Sequence, residues 1–131
     1  MTDEQWKQVE DSLNDLYLCS KVKLKIDGYD ITLVTDIYKN KVIYAVYING
    51  KIKMAHAIED CEERRRFFNK HISSLYSARE LNKAPEDIRE FLKKHNKTVE
   101  WYEPYWNSFN RMKSHFIKNN ESIELVEIVR F

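Results

Sequence analysis

Little in this chain can serve as a hinge, a linker or a cradle. Glycine and proline occur twice each in 131 residues, which leaves no flexible linker and points to a single α+β domain over residues 1–131. The glycines stand alone at positions 28 and 50, so no glycine-rich loop can wrap a phosphate with backbone N–H groups. Cys19 and Cys61 lack C-x-x-C spacing and read as buried reduced thiols rather than a disulfide or a metal site. No apolar run approaches the roughly 20 residues of a membrane span, and the charged first residues lack the apolar segment of a secretory signal. A cytoplasmic protein with no membrane partner is therefore expected.

Net charge is also nearly absent, since 22 basic and 21 acidic side chains leave +1. Their placement is uneven. Residues 1–20 carry −4, from Asp3, Glu4, Glu10, Asp11 and Asp15 against Lys7, while residues 21–57 carry +4, from seven lysines against Asp27, Asp30 and Asp36. Either an acidic first helix complements a basic sheet within one fold, or a basic face stands open to an acidic partner.

What the chain does have is apolar and aromatic substance, 43% and 13% of residues, at a length that hides roughly two-thirds of the unfolded surface. Thr2 followed by Gln5 predicts a capping box for a helix over 2–18, with Trp6, Val9, Leu13, Leu16 and Tyr17 as its buried stripe. From Lys21 the period changes to two. Turn signals at Asp27-Gly28, Lys39-Asn40 and Asn49-Gly50 then delimit Ile31 to Tyr38, Val42 to Ile48 and Lys51 to Met54, so a four-stranded antiparallel meander is expected. Helical spacing of Phe68, Ile72, Leu75 and Tyr76 predicts a helix from near Asp60. Ser77 and Glu80 cap a short helix that ends before Pro85, and Pro85 opens another to about His95 with Ile88, Phe91 and Leu92 inward. Lys97 to Tyr102 leans to strand. Pro104 is expected to start a helix carrying Tyr105, Phe109, Met112 and Phe116, closed by a left-handed cap at Asn119-Asn120, before a last strand from Ile123 to Val129.

No catalytic residue, cofactor or metal ligand is assigned from this pattern. His56, His71, His95 and His115 show none of the close spacings of zinc ligands, although His71 with Asn69 or His115 with Asn119 could meet on a surface. Acidic neighbours at Glu59, Asp60, Glu62 and Glu63 disfavour a Cys61 thiolate. A metal-dependent nuclease is the weakest of the functional expectations. Arg64, Arg65, Arg66 and Lys70 form a better candidate for partner binding, with Lys21, Lys23 and Lys25 on the first strand. Glu62 and Glu63 lie within reach of the arginines, so a self-paired, solvated face stands beside the partner-binding one. Of Trp101, Tyr102, Tyr105, Trp106 and Phe109, the tryptophan at 106 and Phe109 belong to the core by spacing, which leaves Tyr102 and Tyr105 for a partner.

The stretch from Cys61 to Glu80, CEERRRFFNKHISSLYSARE, and that from Tyr102 to Leu125, YEPYWNSFNRMKSHFIKNNESIEL, resemble small proteins encoded by phages and prophages of Firmicute-type bacteria. The resemblance rests on Ser74, Leu75, Tyr76, Tyr102, Pro104, Tyr105, Trp106, Ser108, Phe109, Lys113, His115, Ile117, Asn119 and Asn120, and covers about the C-terminal half. Met112 departs from a leucine in that pattern, and the chain runs past Leu125 to Phe131. The resemblance implies a mobile-element accessory protein in a bacterial host cell and implies no mechanism or site residue. The leading expectation is a non-catalytic inhibitor of a host nucleic-acid-directed defence such as a CRISPR nuclease, binding a host protein or ribonucleoprotein. Direct DNA or RNA binding is the alternative.

Overall fold

The computed structural model describes residues 1–16 and 20–130. In chain order its elements are α1 (Asp3–Asn14), β1 (Lys21–Ile26), β2 (Tyr29–Tyr38), β3 (Lys41–Ile48), α2 (Met54–Ile58), α3 (Glu62–Phe67), β4 (Asn69–Ser74), α4 (Ala78–Lys83), α5 (Glu86–Lys94), β5 (Thr98–Glu103), β6 (Tyr105–Trp106), α6 (Phe109–Asn119) and β7 (Ile123–Val129). This is an α+β fold, divided into two compact units, Met1–Asn69 with Tyr102–Phe131, and Lys70–Trp101.

The larger unit is built on a five-stranded antiparallel sheet in the order β6-β3-β2-β1-β7. Its two hairpins turn where the sequence predicts, with positive φ at Asp27, Gly28, Lys39 and Asn40, the backbone that two-residue turns between twisted strands require. Strand β1 alternates strictly, with Val22, Leu24 and Ile26 buried and Lys21, Lys23 and Lys25 outward. Pairing of Leu24 with Ile31, and of Leu33 with Val46, carries the apolar face across β2 and β3. Trp6, Val9 and Leu13 of α1, Phe67 and Phe68, Trp106, and Phe109, Met112 and Phe116 of α6 complete one core with that face.

The fourth meander strand is not formed. Asn49 and Gly50 make the turn, and Ile48 and Lys51 exchange both backbone hydrogen bonds, at 3.0 and 3.1 Å. There the ladder stops, because residues from far along the chain occupy the edge of β3: Val46 N–H donates to the Pro104 carbonyl at 3.0 Å, and Tyr44 and Ala45 pair with Trp106 and Tyr105. Met54 instead opens α2. Pro104 accordingly lies buried before a strand, not at a helix start, and α6 begins at Phe109 under a cap from Ser108 Oγ.

Two helix boundaries also differ from the sequence pattern. The Thr2–Gln5 capping box is present, but α1 ends at Asn14, where Thr35 Oγ1 donates to the Leu13 carbonyl and Tyr44 Oη to Asn14 Oδ1. Leu16 is exposed, and Tyr17 and Cys19 lie outside the described residues. At the far end of α6, Asn120 is extended (φ −137°, ψ 153°) rather than left-handed. Side chains cap this helix, with Asn119 Nδ2 donating to the His115 carbonyl and Asn120 Nδ2 to that of Phe116.

The helix expected from Asp60 to Tyr76 stops at Phe67, and the chain continues as β4. The Phe68 N–H still closes the last helical turn on the Arg64 carbonyl at 3.1 Å, and the backbone extends from there. Extended backbone at Phe68 (φ −92°, ψ 150°) puts both rings into the core, where they are 0% and 1% exposed.

The smaller unit holds most of the two-stranded β4–β5 sheet, with α4 and α5 between the strands. His71 and Trp101 stack across it at 4.1 Å, and Lys70 pairs with Glu100 at 3.3 Å. Ser77 caps α4 as expected, and Arg89 ties the α4–α5 connection by donating to the carbonyls of Leu81, Asn82 and Ala84. Ile88 and Phe91 are exposed, not inward, and none of residues 70–101 is buried.

Phe116 meets Phe67 edge-on at 5.8 Å and Trp106 at 6.5 Å. Phe116→Ala should lower stability by about 3–5 kcal/mol, read as a shift of the urea unfolding midpoint.

Candidate functional site

Each arginine of α3 has an acidic partner inside the fold. Arg64 reaches Asp60 at 3.4 Å and lies over the Tyr102 ring at 4.3 Å. Arg65 reaches the same carboxylate at 2.8 Å. Arg66 is the most engaged: its Nε donates to Glu62 at 2.8 Å, and its Nη1 to Asp27 at 2.7 Å and to Asn120 Oδ1 at 3.0 Å. That last pair of contacts joins α3 to the β1–β2 turn and to the end of α6. Arg66 is thus a clasp between three chain segments, and its guanidinium is held above its ordinary value chiefly by the Glu62 hydrogen bond, against some desolvation.

Asp27 sits at the centre of this clasp. Its carboxylate accepts from the backbone N–H groups of Glu121 (2.9 Å) and Ser122 (2.8 Å) as well as from Arg66. Those backbone donors, first Glu121 and then Ser122, together with Arg66, outweigh desolvation and keep the carboxyl below its ordinary range. Such a carboxylate is a structural anchor, not a proton donor near neutral pH.

The lysines of β1 are paired across the sheet. Lys25 meets Asp30 at 3.0 Å and Lys23 meets Glu127 at 3.9 Å; Lys21 also has a partner. Lys23 and Lys25 thus find their carboxylates within the sheet rather than in α1. Helix α1 packs with Val22, Leu24 and Ile26 on the opposite face, and the carboxylates that answer Lys23 and Lys25 come from β7 and β2. This outer face carries a shallow cleft of about 510 Å³, lined by Lys21, Lys23, Thr32, Val34 and Tyr47 among others.

Of the remaining expected partner residues, Tyr102 meets the arginine helix and Tyr105 stands apart from the lysine strand. Tyr102 is half-buried beneath Arg64. Tyr105 is exposed, and its pairing with Ala45 puts it on the outer sheet face, but β3 and β2 separate β6 from β1, a distance of roughly 14 Å at ordinary strand spacing. Lys70 is taken by Glu100. Within the larger unit, three places hold the eight expected partner residues it contains.

His115 Nε2 donates to the Arg65 carbonyl at 2.9 Å, with its ring 5.0 Å from that of Trp106. Burial lowers its pKa more than this bond raises it. Asn119 meets His115 only through the backbone carbonyl, and His71 stacks on Trp101. Among the described residues no group of three His, Cys, Asp or Glu side chains gathers. Cys61 is free and half-exposed rather than buried, its Sγ 3.6 Å from the His56 carbonyl; Cys19 lies outside the described residues.

One surface escaped the sequence reading. Ile72, Leu75, Ile88, Phe91, Val99 and Trp101 are all exposed on the smaller unit, Phe91 at 61% and Trp101 at 43%. Its signal was present as helical spacing in α5, but periodicity assigns an apolar stripe and cannot say what covers it. Comparison with protein families, with curated proteins and with solved structures finds no match for the chain.

Two titrations follow from the geometry. His115 has an ordinary value of 6.5 and a lower one in the fold, so the stability it contributes is present above pH 6.5 and is lost as pH falls through the native value. Asp27, ordinarily 3.8 and depressed in the fold, contributes stability that is complete above that pH and disappears on further acidification. Thermal melts from pH 7.5 to 2.5 should show a decline beginning near pH 6.5 that His115→Gln reduces. Asp27→Asn should melt lower at neutral pH and lose part of the decline below about pH 4.

Proposed function

We propose that this chain is a non-catalytic accessory protein of phage or prophage origin that binds a host protein, and that the exposed β4–β5 ribbon is its docking surface. The observation that carries the reading is the contrast between its charges and its apolar side chains. The expected arginines and lysines are paired within the fold, whereas residues 70–101 bury no side chain and expose Ile72, Leu75, Val99 and Trp101 on and beside the ribbon. A segment of about 30 residues without a core of its own cannot offset its conformational entropy. Burial against a partner supplies what the segment lacks. The pairing of β4 and β5 alone, among the described residues, leaves strand edges open to a partner strand, and Ile72, Val99 and Trp101 provide side chains for pockets beside it.

The resemblance of the C-terminal half to phage proteins supports the setting, and in that setting the partner is a host nuclease or ribonucleoprotein of a nucleic-acid-directed defence. Tagged wild-type protein incubated with lysate of a Firmicute strain carrying such a system should retain one of its components. Ile72→Asp/Trp101→Ala should lose at least about tenfold in retention while keeping the circular dichroism melt, and should no longer raise phage plating on that strain. Recovery of no defence component, or equal recovery with the double variant, overturns the reading.

The cleft on the lysine face supports direct nucleic-acid binding as a second reading. It requires retention on heparin that falls steeply with salt and that Lys21→Glu/Lys23→Glu abolishes; elution in the flow-through at low salt removes it.

A further inference from the structure

The helix α5 carries a surface that is distinct from the ribbon and complementary to itself. Ile88, Phe91 and Leu92 form its i, i+3, i+4 stripe, with Ile88 48% and Phe91 61% exposed and Leu92 half-buried. Phe91 stacks on His95 at 4.2 Å, which extends the stripe to the helix end. The first turn is acidic, through Glu86 and Asp87, and the last is basic, through Lys93 and Lys94. These charges suit the helix dipole, and their position relative to the stripe does something more. Asp87 and Lys94 stand about two turns apart on the same flank of the stripe.

From this arrangement we propose that two copies of the chain associate through α5 as an antiparallel helix pair on a two-fold axis. In an antiparallel pair each flank meets the same flank of the other helix, running in the opposite direction. Asp87 then faces Lys94 of the second copy, and Lys94 faces the second copy's Asp87, with the Phe91 rings packed near the axis. A parallel pair would set acidic end against acidic end and basic end against basic end. The charges thus select both the direction and the occupant, because a patch that complements itself is the mark of an isologous interface. An unrelated protein would require no such internal symmetry.

A helix of nine residues is about 13 Å long, so the interface lies below standard size and in the weak, reversible class. Sedimentation equilibrium on the full chain from about 5 to 500 μM should show mass rising from one chain toward two, with a midpoint in the order of 100 μM. Phe91→Glu, at an exposed position, should remain monomeric throughout with an unchanged circular dichroism spectrum. Asp87→Lys and Lys94→Asp should each weaken association severalfold, and the two together should restore it.

A wild-type chain monomeric at every concentration overturns the proposal. Association that Phe91→Glu leaves intact, or charge reversals that the double variant does not rescue, overturn the assignment to α5. Loss of host-protein capture by Phe91→Glu from a monomeric wild type gives the face to another occupant and overturns the second copy. The variant Ile72→Asp/Trp101→Ala should leave the mass distribution unchanged, so failure of self-association and failure of the host-protein reading are read separately.

Discussion

Two adjacent phenylalanines that both require burial govern the middle of this protein. Phe67 closes α3 and Phe68 is already extended, yet both rings are buried in one core, and contacts spread outward from them. Phe67 meets Tyr29 edge-on at 5.3 Å and Phe116 at 5.8 Å, while its carbonyl accepts the Trp106 indole N–H at 3.0 Å. The residue before it, Arg66, is brought to Asp27 and Asn120. The backbone change at Phe68 ends α3 directly after the residues that seat Trp106 and clasp the first hairpin. It also turns the following residues into β4, whose apolar side chains then stand outside any core.

The fate of the cations follows from the same geometry. A run of three arginines invites a reading as a phosphate-binding face, but a guanidinium with planar donors is also the best available bridge between separated segments. Arg66 serves in that way, and Arg64 covers an aromatic ring. On the sheet, the lysines of β1 sit between two strands that each present carboxylates. Exposed pairs of this kind add little stability individually. Their larger effect is to reduce the charge that the surface offers to a polyanion.

Residues 70–101 differ from the rest of the described chain in exposing large apolar side chains while burying none. The larger unit buries aromatic and branched side chains from helix and strand alike, and exposes others, such as the paired Ile37 and Val42, at the far end of the β2–β3 hairpin. Residues 70–101 only expose them. Two short helices and a two-strand ribbon hold their shape through polar ties such as Arg89 to three carbonyls and Asn96 to both backbone groups of Tyr76. The rings and branched chains stay outside, where another protein surface can reach them.

Local patterns in the sequence determined the α+β class, the three turns with positive φ, the capping box of α1 and the Ser77 cap of α4, the alternation of β1 and the last strand. Each depends on interactions within a few residues, which is the range over which periodicity and turn chemistry act. Tertiary structure alone decided the rest. Residues 104–106 took the edge of β3 and ended the meander, α1 stopped at Asn14 where Thr35 and Tyr44 bond its end, and the chain extended at Phe68 where helical spacing ran on to Tyr76. Helical spacing left Tyr102 and Tyr105 over for a partner, yet Tyr102 packs against the core beneath Arg64, and the separation of Tyr105 from the lysine strand depends on strand order, a long-range property. Nor could the sequence say that Ile88 and Phe91 face outward: an amphipathic stripe records that a helix has something to bury, and only the packing of the other elements shows whether this chain supplies the cover.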